Sequence, residues 1–176
     1  RHLAPGNVFL DLCTGSGCIL VSLLHYAKGT AGTGADLSGK ALAVAKGNVE
    51  ANGVEARLVQ GDLFEPVTGT FDLIVSNPPY IASAEIETLA PEVREHEPRM
   101  ALDGTADGLF FYRRIVQESP SYLKEGGWLC MEIGYDQGAA VRQLMEARGF
   151  ATVSVIKDLA GLDRVVSGCY RRNRNV

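Results

Sequence analysis

The run Val8-Phe9-Leu10-Asp11-Leu12-Cys13-Thr14-Gly15-Ser16-Gly17 passes from five strand-forming positions into a turn that carries two glycines. From Cys18 to Lys28, Ile19, Leu20, Leu23, Leu24 and Ala27 then recur at helical spacing, which predicts strand, loop and helix in succession. A second unit of the same kind follows. Thr33-Gly34-Ala35-Asp36 ends a strand, Ser38 is placed to cap a helix with Ala41, Leu42, Ala45 and Val49 on one face, and Asn52-Gly53 closes it. Ala56 to Gln60 and Phe71 to Ser76 are further β-prone runs. The second leads directly into Asn77-Pro78-Pro79-Tyr80, where the prolines must end the strand.

From Ile81 to Gly108 the chain is charged, proline-bearing and weakly periodic, so a long functional loop with little regular structure is expected. A helix is predicted near Leu109 to Glu118, stopped by Pro120. A buried strand is predicted over Gly127 to Ile133, and a helix over Gly138 to Arg148 with Gly149 just past its end. Thr152 to Lys157 and Arg164 to Tyr170 are joined by a connection of about seven residues, too short for a helical crossover. An antiparallel hairpin at the sheet edge is therefore expected. Strands alternating with helices predict an α/β fold with a mostly parallel sheet, ligands binding outside the carboxyl ends of its strands. The first strand starts close to residue 1, leaving little to cover one sheet face, so part of a larger protein is expected to be missing.

With 176 residues, 46% hydrophobic and 22% charged, the chain is long enough for one core, and residues 1–176 are taken as one domain. A net charge of -4 gives no general attraction to a phosphate backbone, although Arg171, Arg172 and Arg174 cluster near the end. Cys13, Cys18, Cys130 and Cys169 form no CxxC pair and read as reduced core thiols; no metal site is expected. No run approaches the ~18 apolar residues of a membrane span, and no signal-peptide core is present, so a cytoplasmic protein is expected.

Asp11 to Gly17 lets a ligand approach the main chain closely. A dinucleotide fingerprint would need a third glycine where Leu20 stands. S-adenosylmethionine has no phosphate to cradle. Its ammonium and sulfonium instead favour a nearby carboxylate, which Asp11 can supply directly or through water; the competing role is turn formation. Asp36, with Leu37 beside it, lies about 20 residues beyond the turn, where an acid accepts from a ribose diol, or else forms an Asx turn before Ser38. Asp62 is placed to accept from an adenine amine while Leu63 covers the ring face, with helix capping as the alternative.

Asn77-Pro78-Pro79-Tyr80 forms a rigid, acceptor-rich strand end. The Asn77 side-chain oxygen and the Pro78 carbonyl can accept both hydrogens of a target NH2, and Tyr80 offers a face for a planar group. A plain proline turn ending an edge strand is the bland alternative. An amide nitrogen is a poor nucleophile because resonance delocalises its lone pair. Holding nitrogen, methyl carbon and sulfur in line contributes on the order of 7 to 11 kcal/mol.

From Val8 to about Tyr170 the chain resembles the catalytic domain of the release-factor glutamine methyltransferases, the HemK family. Besides Asn77-Pro78-Pro79-Tyr80-Ile81, the resemblance rests on Glu92-Val93, Glu97-Pro98, Ala101-Leu102, Asp107-Gly108-Leu109, Glu132-Ile133-Gly134 and Lys157-Asp158-Leu159-Ala160-Gly161 leading into Asp163-Arg164-Val165-Val166. It implies a Rossmann-like class I fold of seven strands with a C-terminal antiparallel hairpin; a monomer is expected. The implied activity is methylation of the Gly-Gly-Gln glutamine in a class I peptide-release factor. Cofactor contacts are implied from Cys13, Thr14, Gly15, Ser16 and Gly17, and from Asp36, Leu63 and Asn77, with Asn77 to Tyr80 holding the glutamine. Two departures stand out. Cys13 occupies a position that is usually glycine, and would be strained if φ is positive there. The family's N-terminal helical domain has no counterpart in residues 1–176, so a fragment or a separate catalytic domain is expected. Rival readings are an amino-methyltransferase acting on a nucleobase, against which the negative charge weighs, and a cofactor-fold binding module without activity.

Overall fold

The computed structural model describes residues 2–94 and 98–172. Seven strands, β1 (Val8–Leu12), β2 (Ala31–Asp36), β3 (Ala56–Gln60), β4 (Phe71–Ser76), β5 (Leu123–Glu132), β6 (Phe150–Lys157) and β7 (Asp163–Tyr170), form one sheet in the order β3-β2-β1-β4-β5-β7-β6. β1 to β5 pair in parallel, and β7 runs antiparallel between β5 and β6. The chain leaves β1 toward β2 and β3 and returns on its other side as β4. The carboxyl ends of β1 and β4 therefore flank the switch point of the sheet, where folds of this kind hold their ligands.

Apart from Asp11, β1 is apolar without alternation because both its faces are covered. Phe9, Leu10 and Leu12 are fully buried. Phe9 belongs to a cluster with Leu20, Leu24, Val49 and Leu73, under α1 (Cys18–Tyr26) and α2 (Gly39–Ala51). Leu10 and Leu12 join the larger cluster that holds Ile74, Leu129, Met131, Tyr112, Ile115, Val141 and Met145. Its helices are α6 (Phe110–Glu118) and α7 (Gly138–Ala147). Burial of a large apolar side chain is worth roughly 1.5–3 kcal/mol, so the two clusters hold the helices to the sheet while leaving its carboxyl edge open.

Several boundaries differ from the sequence reading. α1 ends at Tyr26, two residues before Lys28, because Ala27 leaves the helix at φ -99 and ψ 72. The described residues between Ile81 and Gly108 carry more regular structure than expected, with three single-turn helices among them, α3 (Ser83–Ile86), α4 (Pro91–Arg94) and α5 (Arg99–Leu102). The helix before Pro120 does end at Glu118 as expected, and Pro120 itself sits in a following 3₁₀ turn, Ser119–Ser121, whose first turn needs no proline N–H. β5 begins at Leu123 rather than Gly127, since Leu123 pairs with Phe71 before a register shift. The hairpin is present, with β6 as the outer strand.

The thiols are not all in the core. Cys169 is buried and Cys13 and Cys130 are half-buried, whereas Cys18, first in α1, is exposed; all four are free. No helix among the described residues is long and apolar enough to cross a membrane. Among the same residues, no group of three or more His, Cys, Asp or Glu could hold a metal ion. Arg171 and Arg172 are exposed, while Arg174 and Glu97 lie outside the described residues.

Candidate active site at the carboxyl ends of the strands

The turn after β1 is a chain of left-handed residues, with φ 56 at Cys13, 56 at Gly15 and 77 at Gly17. Two of these are glycines, for which that conformation costs nothing; Cys13 is strained in it. Four hydrogen bonds brace the turn, one within it, two from β2 and one from α2. Thr14 N donates to Ala35 O at 3.1 Å and Gly17 N to Thr14 O at 2.8 Å. Gly15 N donates to Asp36 Oδ2 at 2.8 Å, and Asn48 Nδ2 reaches from α2 to Ser16 O at 2.8 Å. Burial, then the charge of Asp36, raises the Cys13 thiol to about 12.

Asp11 lies beneath this turn at 1% exposure. Its Oδ2 accepts from Thr14 Oγ1 at 2.6 Å and Leu20 N at 3.1 Å. Its Oδ1 is buried with no hydrogen-bond partner. Burial outweighs those two bonds and raises the carboxyl to about 7. Asp36 ends β2 and is shared between two turns, because Oδ1 accepts from Ser38 N at 2.8 Å while Oδ2 serves Gly15. The Asx turn considered above is thus real, and it leaves spare lone pairs on both oxygens. Ser38 caps α2 as expected, accepting from Ala41 N at 3.2 Å.

After β3, Asp62 does not cap a helix. The segment is a tight turn closed by Glu65 N to Asp62 O at 3.0 Å, and the carboxylate pairs with Arg114 Nη1 of α6 at 2.7 Å. Leu63 is buried at φ 48. After β4, Asn77 is exposed while Pro78 and Pro79 are buried. Ser76 bonds across the switch point to Leu12 O at 2.9 Å.

These strand ends enclose a cleft of about 180 Å³. Cys13, Gly15, Asp36, Leu37, Asp62, Leu63, Asn77 and Pro79 all line it. Asp11, Thr14, Ser16, Gly17 and Pro78 do not; they lie behind or beside the wall. Tyr80 opens instead onto an adjoining groove of about 380 Å³, with Glu85, Tyr135 and Gln137 on its sides. Burial, and secondarily Glu132, raises the Tyr80 phenol above its ordinary range.

Sequence reasoning missed Met100 and Ala101 of α5 and Phe111 of α6, which complete the cleft. Their local pattern carries no ligand signature; the only hint was that a long charged segment followed the proline turn.

The chain belongs to the methyltransferase small domain family, whose model matches residues 2–95. It is similar to release factor glutamine methyltransferases. The Geobacter sulfurreducens protein is 48% identical over 169 residues, 96% of this chain and 60% of that protein. The Cereibacter sphaeroides protein is 51% identical over 165 residues, 93% of this chain and 59% of that protein. The chain thus spans about 60% of the length of these curated relatives. Among solved structures, the protein-(glutamine-N5) methyltransferase (release factor-specific) of Alicyclobacillus acidocaldarius superposes with a TM-score of 0.57 at 29% identity. That superposition covers 98% of this chain and 85% of that one. A Pyrococcus furiosus methyltransferase gives 0.74 at 20% identity over 97% of this chain and 78% of that one, a likeness of fold alone.

Proposed function

We propose that this chain transfers a methyl group from S-adenosylmethionine to the side-chain amide nitrogen of the Gly-Gly-Gln glutamine in a class I peptide-release factor. The observation that carries the reading is the position of one turn. Asn77 and Pro79 line the cleft between β1, β2 and β3, and Tyr80, the next residue, lines the groove that opens to solvent. A single rigid turn therefore joins the recess at the strand ends to an approach for a partner.

The residues present fit this cofactor. The orphaned Asp11 Oδ1 is a buried acceptor without a donor behind the cleft wall, which an ammonium group in the cleft would satisfy through water. Asp36 has spare lone pairs for ribose hydroxyls, and Leu63 and Phe111 give the cleft apolar surface for a base. Asp62, held by Arg114, stands at the same end. The left-handed turn from Cys13 to Gly17 brings main chain rather than side chains to the ligand. When bound, the sulfonium supplies the methyl group and a good leaving group.

Asn77 Oδ1 and the Pro78 carbonyl then hold the target NH2 through its two hydrogens, and these acceptors stabilise positive charge as it develops on nitrogen. Tyr80 packs against the planar amide. The amide proton leaves to water afterward, so no strong base is required. In this reading residues 1–176 act as one catalytic domain, a monomer working in the cytoplasm on a protein substrate. Incubating the chain with labelled cofactor and either an unmodified release factor or nucleic acid tests it. Label on the release factor alone supports the reading, and label on nucleic acid alone overturns it.

A further inference from the structure

Three segments of chain meet behind Tyr80, and the side chain of Gln137 bonds to all of them. Its Nε2 donates to Tyr80 O at 2.9 Å and to Gly108 O at 3.4 Å, and its Oε1 accepts from Gly134 N at 2.9 Å. Tyr80 ends the proline turn, Gly108 ends the excursion that begins at Ile81, and Gly134 follows β5. A carboxylate in this place has no donor and a lysine has no acceptor; an amide has both.

The need for such a clasp follows from the turn itself. Pro78 and Pro79 have no N–H, so half of the four-residue turn offers no backbone donor and its carbonyls are the more plentiful handles. The surroundings are built close around that handle. A Cβ on Gly108 would stand 2.3 Å from Tyr80 O, and one on Gly104 would stand 2.8 Å from Tyr80 Cα. Ile81 N to Leu102 O at 3.0 Å and Gly104 N to Ile81 O at 2.8 Å extend the closure past the turn. Gln137 is also the N-cap residue of α7, yet its side chain makes no capping bond to that helix. Its amide is committed to the clasp.

We propose that Gln137 is a positioning residue for methyl transfer, fixing the Tyr80 carbonyl and with it the pitch of Asn77 to Tyr80 against the cleft. It lines the outer groove and not the cofactor cleft, so it acts through the turn. The proposal rests on the methyltransferase reading above.

The test uses the full chain with Gln137→Glu and the donor-free Gln137→Met, following turnover, cofactor binding by calorimetry and amide exchange without cofactor. Loss of the paired donors is expected to lower kcat about 10- to 100-fold near pH 8, with cofactor Kd within about twofold of wild type. Gln137→Glu is expected to recover part of that loss toward about pH 6, as the carboxyl crowded by two carbonyls takes up a proton and donates again, while Gln137→Met does not. Exchange should quicken over residues 80–108 and not over the turn after β1. Turnover close to wild type in both variants overturns the proposal, as does exchange unchanged over 80–108. A loss of turnover matched by an equal loss of cofactor affinity also overturns it. If the wild type methylates no acceptor at all, the functional reading fails instead, and the exchange measurement alone decides the clasp.

Discussion

Gly15 donates its amide hydrogen to the Asp36 carboxylate at 2.8 Å, so the turn after β1 is held in shape by the residue that ends β2. One side chain both stabilises the left-handed turn and faces the cleft. Asp36→Ala removes the acceptor for Gly15 and for Ser38 together. A stability loss of about 1–3 kcal/mol is expected in denaturant titration, along with at least about tenfold weaker cofactor binding by calorimetry. Unchanged affinity would separate the brace from the binding site.

Cys13, at φ 56, is the strained link of that turn. Cys13→Val should destabilise by about 1–3 kcal/mol, since a β-branched residue is poorly tolerated there. Cys13→Gly should leave the melting temperature close to wild type. It relieves about 1–2 kcal/mol of strain but loses thiol packing and adds freedom to the unfolded chain. Equal melting temperatures for the two variants would mean that the left-handed geometry carries no strain.

Asp11 makes the fold pH-sensitive. Its carboxyl is raised from 3.8 to about 7 by burial, so between those values the folded chain holds a proton that the unfolded chain has lost. The resulting stabilisation is complete below the unfolded value and is lost as pH rises through about 7. Wild-type melting temperature should therefore fall across that window, and Asp11→Asn should flatten the slope. Affinity for a cofactor carrying an ammonium should run the other way, rising with pH in the wild type and not in the variant. Parallel pH curves for the two proteins would rule out Asp11 as the titrating group.

The Arg114–Asp62 pair, 2.7 Å apart with side chains 30% and 37% exposed, should matter little for stability. Arg114→Ala is expected to change unfolding free energy by less than about 1 kcal/mol, because exposed pairs are screened. Cofactor binding should nonetheless weaken several-fold once Asp62 is free to move. A large stability loss with normal affinity would reverse that assignment.

The order of strands and helices was legible because local signals agree with one another. β1 is an apolar run broken only by Asp11, Ser38 caps its helix, and the prolines after Ser76 end the strand before them. The positive φ at Cys13 was legible only as a condition, raised by the glycine that the resembling family usually has there. Asp62 was harder to read, since its ion pair with Arg114 spans 52 positions and no local pattern announces it. Gln137 and Phe111 escaped for the same reason. Their roles depend on which strand ends the topology brings together, and the short helices from Ser83 to Leu102 are single turns too brief to show periodicity.

The most direct measurement is tandem mass spectrometry of an unmethylated class I release factor after incubation with this chain and S-adenosylmethionine. The expected result is one methyl group on the side-chain amide of the Gly-Gly-Gln glutamine, absent with Asn77→Ala even though that variant still folds. A methyl group placed anywhere else, or near-wild-type transfer by Asn77→Ala, would contradict the claim that Asn77 to Tyr80 hold a glutamine amide for methylation.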